Sequence, residues 1–275
     1  MQRRIGYEDD IVKLIVLLFA TVAMLALTMA SAWAIVLKTG KSGWADTFWT
    51  VGIGVCGSVA ALVPLGSEGD TGRRLIVAAL VACWSLRLAS HIARRTLKGE
   101  DDPRYAQLRK EWGGRYHSQL FVFLQIQAAA ALVLVIAVVA AANNPAPLGW
   151  GDAIGVIVAV VAVIGESLSD AQLAAFKANP ENRDKVCDTG LWALSRHPNY
   201  FFEWLYWLAY IPTGVSFPSH PWGWVSLLAP LLMYWLLVHV SGVPPLEAHM
   251  LRTRGTIFQD YQQRVRAFWP IPRIK

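Results

Sequence analysis

Long apolar runs separated by short charged connections dominate this chain of 275 residues. A stretch of about 20 predominantly apolar residues is needed to cross a bilayer as a helix. Segments of that kind fall near residues 11–37, 44–65, 74–97, 120–142, 151–173, 199–216 and 221–241. The pattern predicts an all-α polytopic membrane protein with seven transmembrane helices, one membrane domain over residues 1–275, and short C-terminal helices in a polar segment from 242 to 275. The first run follows both acids and bases and is too long for a signal segment, so it is kept as a span.

The connections orient the spans. Arg94, Arg95, Lys98, Arg104, Arg109, Lys110 and Arg115 follow the third run, Lys177, Arg183, Lys185 and Arg196 lie between the fifth and sixth, and Arg252, Arg254, Arg264, Arg266, Arg273 and Lys275 follow the seventh. The opposite side holds only Arg3, Arg4, Arg73 and Arg74, balanced by Glu8, Asp9, Asp10, Glu68 and Asp70. The positive-inside bias puts the amino terminus outside and the carboxyl terminus in the cytoplasm, in a membrane expected to be a bacterial inner membrane.

Composition agrees with this picture. The chain is 55% hydrophobic, has 13 Trp and a mean hydropathy of +0.39. Its net charge of +6 is accounted for by the orientation bias rather than by nucleic-acid binding. Cys56, Cys83 and Cys187 are scattered and build neither a disulfide framework nor a metal site. Membrane lipids are the surrounding partner, and oligomeric state stays open, a monomer included.

Polar residues inside the apolar runs mark candidate chemistry, because ionisable groups in a membrane are costly. The second run begins with Asp46, read as a helix cap or a ligand contact, and its Gly52, Gly54 and Gly57 suit close helix contact. In the third, Arg87, His91 and Arg94 share one helical face. The loop after it, K-G-E-D-D-P-R-Y, sets acids and Arg104 beside Tyr105, either for ribose hydroxyls or as a solvated turn. The fourth run reads as packing apart from Gln125 and Gln127. In the fifth, Glu166 and Asp170 lie one turn apart, followed by the cations Lys177, Arg183 and Lys185. The sixth opens with S-R-H-P-N-Y-F-F-E-W, where Pro198 suits the first turn of a helix and Arg196, His197 and Asn199 stand at its positive end, a place that attracts anions. Asn199 and Glu203 then share a face. Tyr234 and His239 lie in the seventh run before the break at G-V-P-P, and Phe258, Phe268 and Trp269 are expected to be buried.

The pattern G-L-W-A-L-S-R-H-P-N-Y-F-F-E-W, with the tail E-x-x-x-L-R-x-R-G-x-x-F-x-x-Y, resembles the steroid 5-alpha-reductase superfamily, in particular its bacterial members, over roughly residues 75–270. The resemblance implies NADPH bound from the cytoplasmic side and reduction of the electron-poor double bond of a lipid enone, most simply the delta-4 bond of a 3-oxo-steroid. It matches Asn199, Glu203, Trp207, Asp170, Lys177 and Lys185 to cofactor-site positions, and Asp102, Arg104, Glu247, His249 and Tyr261 beside them. Arg94, Glu166, Arg183, Arg196, His197 and Arg252 complete the expected cofactor surroundings, with the tail from 242 covering them. Where steroid reductases carry a ketone-binding tyrosine three residues before an arginine, this chain has His91 before Arg94. His91 is therefore the expected proton donor, oriented by Asp46 or Glu203, with Tyr200 or Tyr234 as substitutes and a histidine bonded to a backbone carbonyl as the structural alternative. The R-H-P-x-Y core is shared with sterol C14 and delta-7 reductases and with isoprenylcysteine-type methyltransferases. A methyltransferase using S-adenosylmethionine, or a transporter or lipid-binding scaffold, are the competing readings.

Overall fold

The computed structural model describes residues 2–66, 70–99, 102–217 and 219–272, with side chains from residue 8 onward except at 103. Of the charges weighed above, Glu68, Arg273 and Lys275 and the side chains of Arg3 and Arg4 lie outside the described residues, as do the loop acids Glu100 and Asp101. The described residues form helices and no named strand. They are α1 (Gln2–Thr39), α2 (Gly43–Leu62), α3 (Thr71–Leu97), α4 (Pro103–Trp112), α5 (Tyr116–Ala142), α6 (Trp150–Ala178), α7 (Pro198–Leu208), α8 (Tyr210–Gly214), α9 (Leu228–Trp235), α10 (Val243–Arg254) and α11 (Thr256–Arg264).

Six helical segments among the described residues are long and apolar enough to cross a membrane, as befits a membrane protein. The segment expected to span 199–216 does not reach that length: α7 has 11 residues and α8 has 5, with the break at Ala209. At 1.5 Å per residue, α7 extends only about 16 Å. The expected break at G-V-P-P is present, at Ser241 and Gly242. The chain passes through a π turn at Leu236–Val240, and Gly242 folds so closely over it that a Cβ would lie 2.3 Å from the Leu237 carbonyl oxygen. Helix α10 then resumes with prolines in its first turn, where a missing N–H removes no helical bond.

The chain folds as two compact units, the first Met1–Val156 with Tyr210–Ala229, the second Ile157–Ala209 with Pro230–Lys275. In the first, α2 packs against α1, α3 and α5. The glycines expected to permit close contact do so. A Cβ on Gly54 would lie 2.1 Å from Ser85 Oγ, one on Gly57 would press on Val81 at 3.2 Å, and one on Gly52 would press on Thr28 of α1 at the same distance. Such small residues let helix backbones approach where apolar burial gives no drive, because lipid is as apolar as the core. Ser85 Oγ donates to the Thr50 carbonyl at 2.9 Å across the same seam. Leu25, Met29, Ala32 and Val36 form the buried stripe of α1, whose other faces are mostly exposed.

One end of this unit is latched by Arg73. Counted above as a loop charge, it is instead 2% exposed and forms a fork onto Asp152, with Nε–Oδ1 at 2.7 Å and Nη2–Oδ2 at 2.8 Å. Its remaining N–H groups donate to the carbonyls of Asn144, Ala146 and Pro147. Asp70 caps α3 just before it. In the second unit, Phe258, Tyr261 and Val265 form a small core with Val186, Met250 and Leu251. Phe201, Trp204, Tyr234, Phe268 and Trp269 stack edge to face, with Trp204 and Trp269 centroids 5.3 Å apart. Phe258 and Phe268 are buried as expected, while Trp269 stays 38% exposed.

Candidate functional sites

The second unit gathers polar groups around the start of α7. The turn ahead of it depends on Gly190, whose φ of +60° favours glycine and whose missing Cβ leaves room for the Gln172 amide, 2.7 Å from where that carbon would stand. Gln172 Oε1 accepts from Leu191 N, and Trp192 Nε1 donates to the Ser169 carbonyl. The tail joins on. Ser195 Oγ donates to the carbonyls of Ala267 and Phe268, Arg196 N donates to Arg266 O, and Tyr261 OH donates to Trp192 O. Burial raises the Tyr261 phenol above its ordinary range, so it acts as a neutral donor.

This scaffold brings Arg196, His197 and Glu247 together. Arg196 Nε and Nη2 fork onto the two Glu247 oxygens at 2.8 and 3.0 Å, and Nη1 donates to the carbonyls of Gln262 and Val265. Four of the five guanidinium N–H groups are thereby occupied within the chain. Arg196 is therefore a tie between helix start and tail rather than an open cation. Glu247 also accepts from Gln262 Nε2 at 2.7 Å and pairs with His197 Nε2 at 2.9 Å. Burial, opposed by the Glu247 carboxylate, lowers the His197 pKa. The neutral ring donates through Nε2–H to the carboxylate, which leaves Nδ1 as an acceptor, buried and without a hydrogen-bond partner among the described residues. The imidazole stacks on Tyr200, with centroids 5.4 Å apart.

The same unit holds other acceptors. Helices α6 and α7 meet where the Phe202 ring occupies the face of Gly165, 2.3 Å from where a Cβ would be. The same two helices bring Asp170 of α6 beside Asn199 of α7. Asn199 Nδ2 reaches Asp170 Oδ1 at 3.4 Å, Glu203 accepts from Trp207 Nε1 at 3.0 Å, and Glu166 and Glu203 are each 5% exposed. Lys177, Arg183, Lys185 and Arg252 are exposed, and His249 is half-buried on α10. Tyr234 sits in the aromatic cluster, its ring against Phe268 and Trp204.

The first unit has its own polar group. Asp46 does not cap α2, whose N-cap position is Ser42. Its carboxylate instead accepts from Arg104 Nη2 and from Tyr105 OH, the latter at 2.9 Å. Asp102 caps α4 and forks onto Arg104 through Nε and Nη2 at 2.9 and 2.8 Å. Asp102 and Arg104 therefore bind one another, and Arg104 also binds Asp46 at the start of α2. Gln127, set apart from the packing of its run, donates to Tyr105 OH at 3.4 Å. The sequence sets Tyr105 beside Arg104 and singles out Gln127, but gives neither a settled role in a site. The signal was present, since an amide inside an apolar run needs a partner. His91 is half-buried on α3, and Arg94 is exposed.

Residues 32–265 match a family described as a protein of unknown function, DUF1295. The chain belongs to that family. It is associated with steroid 5-alpha-reductase-like membrane proteins. No curated protein and no solved structure matches the chain significantly.

Proposed function

We propose that this DUF1295 member is an NADPH-dependent reductase of the carbon–carbon double bond of a lipid enone, with a 3-oxo-steroid as the simplest substrate class. The observation that carries the reading is the acceptor-rich cluster in the second unit, headed by the orphaned Nδ1 of buried His197. A buried acceptor left unmet costs about 1–3 kcal/mol, and a ligand bearing N–H or O–H donors relieves it. The carboxamide and ribose hydroxyls of a nicotinamide nucleotide are such donors, so the residues fit that group. Asn199, Asp170, Glu166 and Glu203 would accept from them, and the exposed Lys177, Arg183 and Lys185 would serve the phosphates, favouring the additional phosphate of NADPH. Arg196 and Glu247 act by positioning His197.

NADPH supplies the hydride when bound. The chain's task is to hold a proton donor at the substrate carbonyl oxygen, where negative charge develops as the double bond is reduced. His91 takes that role in this reading, because an imidazole both holds and gives up a proton near working pH. Residues 199–216 count as a broken seventh crossing, with the amino terminus outside, the carboxyl terminus cytoplasmic and the tail covering the cofactor.

One observation favours a second reading. The lysines sit in solvent while the buried lining is anionic, which also suits the sulfonium of S-adenosylmethionine and hence lipid methyl transfer. Mass spectrometry of gently solubilised protein separates the two. Co-purifying NADP(H), together with loss of NADPH absorbance on adding testosterone or progesterone, supports the reductase. S-adenosylhomocysteine in its place overturns it.

A further inference from the structure

The polar group of the first unit has a direction. At one end, Arg104 and Asp102 hold Asp46 in a cluster of two carboxyl groups and one guanidinium, with Asp46 Oδ1 facing Tyr105. Tyr105 is 3% exposed, and its hydroxyl donates to Asp46 Oδ1. Its single proton being so used, that oxygen accepts from Gln127 Nε2. Every donation runs toward the carboxylate. The far end of the relay is therefore an acceptor, Gln127 Oε1, which is buried and meets no donor among the described residues.

Position makes this open end unusual. Gln127 is eleven residues into α5, about 16 Å along the helix, between Ile126 and Ala128 in an apolar run. Inside a membrane crossing, bulk water does not satisfy such a group as it does at a helix end. Its backbone carbonyl accepts from Trp49 Nε1 at 3.0 Å, which holds α5 against α2 at the same level. The residue as a whole is half-buried rather than sealed, so the amide stands at the margin of the packed interior.

We propose that Gln127 Oε1 is a binding point for a hydroxyl on an otherwise apolar lipid, with Tyr105 and Asp46 as positioning residues that fix the amide's orientation. A carbonyl or ether oxygen offers no proton to this acceptor. The group recognised is an alcohol, distinct from the enone carbonyl that reduction would require. The inference rests on the lipid-reductase reading for the rest of the substrate, and refines it to a lipid that carries a hydroxyl as well as the reacting enone.

The test compares testosterone with its 17-methyl ether, which share the enone and differ by one O–H. Dissociation constants for detergent-solubilised full-length protein are measured by microscale thermophoresis, with NADPH oxidation followed separately. Wild type is expected to bind the alcohol on the order of tenfold more tightly than the ether, and Gln127→Leu to bind the two alike. Tyr105→Phe, which keeps the ring but frees the amide to turn, is expected to reduce the preference severalfold and carries the comparison should the leucine variant not fold. Equal binding of alcohol and ether by wild type, a preference that survives Gln127→Leu, or binding of neither steroid overturns the inference. A Gln127-dependent preference without NADPH oxidation upholds the hydroxyl site and sinks the reductase reading, whereas oxidation without the preference does the reverse.

Discussion

Two arginines of the first unit meet carboxylates in opposite ways. Arg73 is buried, and each of its nitrogens donates to Asp152 or to the carbonyls that end α5 and precede α6. Arg104 is about a quarter exposed in its side chain, and its partner Asp46 passes the polarity on through Tyr105 to an unmet amide oxygen. The first network is closed and fastens three helices. The second is open at one end, as a recognition site must be. Arg196 in the second unit repeats the closed pattern on one side, through Glu247, and the open one on the other, through His197 Nδ1. Satisfaction of every donor marks a staple, and a single unsatisfied atom at the end of a rigid network marks a place for a ligand.

The contrast is broken most directly at its closed end. Arg73→Ala strands a buried carboxylate and is expected to cost about 3–5 kcal/mol in detergent unfolding, the range for breaking a buried pair. A loss below about 1 kcal/mol would show that Asp152 finds water and that the latch is not buried in solution. Glu247→Ala is expected next, at about 3 kcal/mol, because it leaves the Arg196 charge uncompensated. It should also weaken NADPH binding by releasing His197, and unchanged binding would remove that residue from the proposed cofactor site.

Gly165→Ala probes the helix contact that gathers the acceptors. Its new methyl meets the Phe202 ring and is expected to cost about 1–3 kcal/mol, measured as a lower unfolding midpoint. Asp46→Asn is expected to be milder, at about 1 kcal/mol, since the pair is part-exposed. If the open network is a site, this variant nonetheless loses most of the preference for alcohol over ether, so stability and recognition come apart there and not at Arg73.

The smallest effect is in pH. His197 has a lowered pKa in the folded protein, so between that value and the ordinary 6.5 the unfolded chain binds more protons. Its contribution to stability is complete above pH 6.5 and declines as pH falls through the folded value. Melting temperatures taken from about pH 7.5 down to about pH 5.5, a span around the ordinary histidine value, should fall less steeply in His197→Gln than in wild type. Parallel curves would mean that the ring is solvated.

Much of this was legible in the chain itself. Apolar run length and the charged connections determined a helical membrane protein, because a backbone in hydrocarbon must satisfy its own hydrogen bonds and helices do so locally. Gly52, Gly54 and Gly57 announced close helix contacts, and S-R-H-P-N-Y announced a helix start with chemistry beside it. The partners were not legible. Arg73 looked like a loop charge, Asp46 like a cap or a ligand contact, and Gln127 like an exception to packing with no partner in view, while Arg196 looked open to phosphate until Glu247, 51 residues on, was found to occupy it. Hydrophobic periodicity reports which face of a helix is apolar, a property of neighbours in sequence. Which donor meets which acceptor depends on residues tens of positions apart, and only the tertiary structure decides that. The same applies to two buried atoms, His197 Nδ1 and Gln127 Oε1, whose lack of a partner among the described residues becomes visible only once their neighbours have been paired.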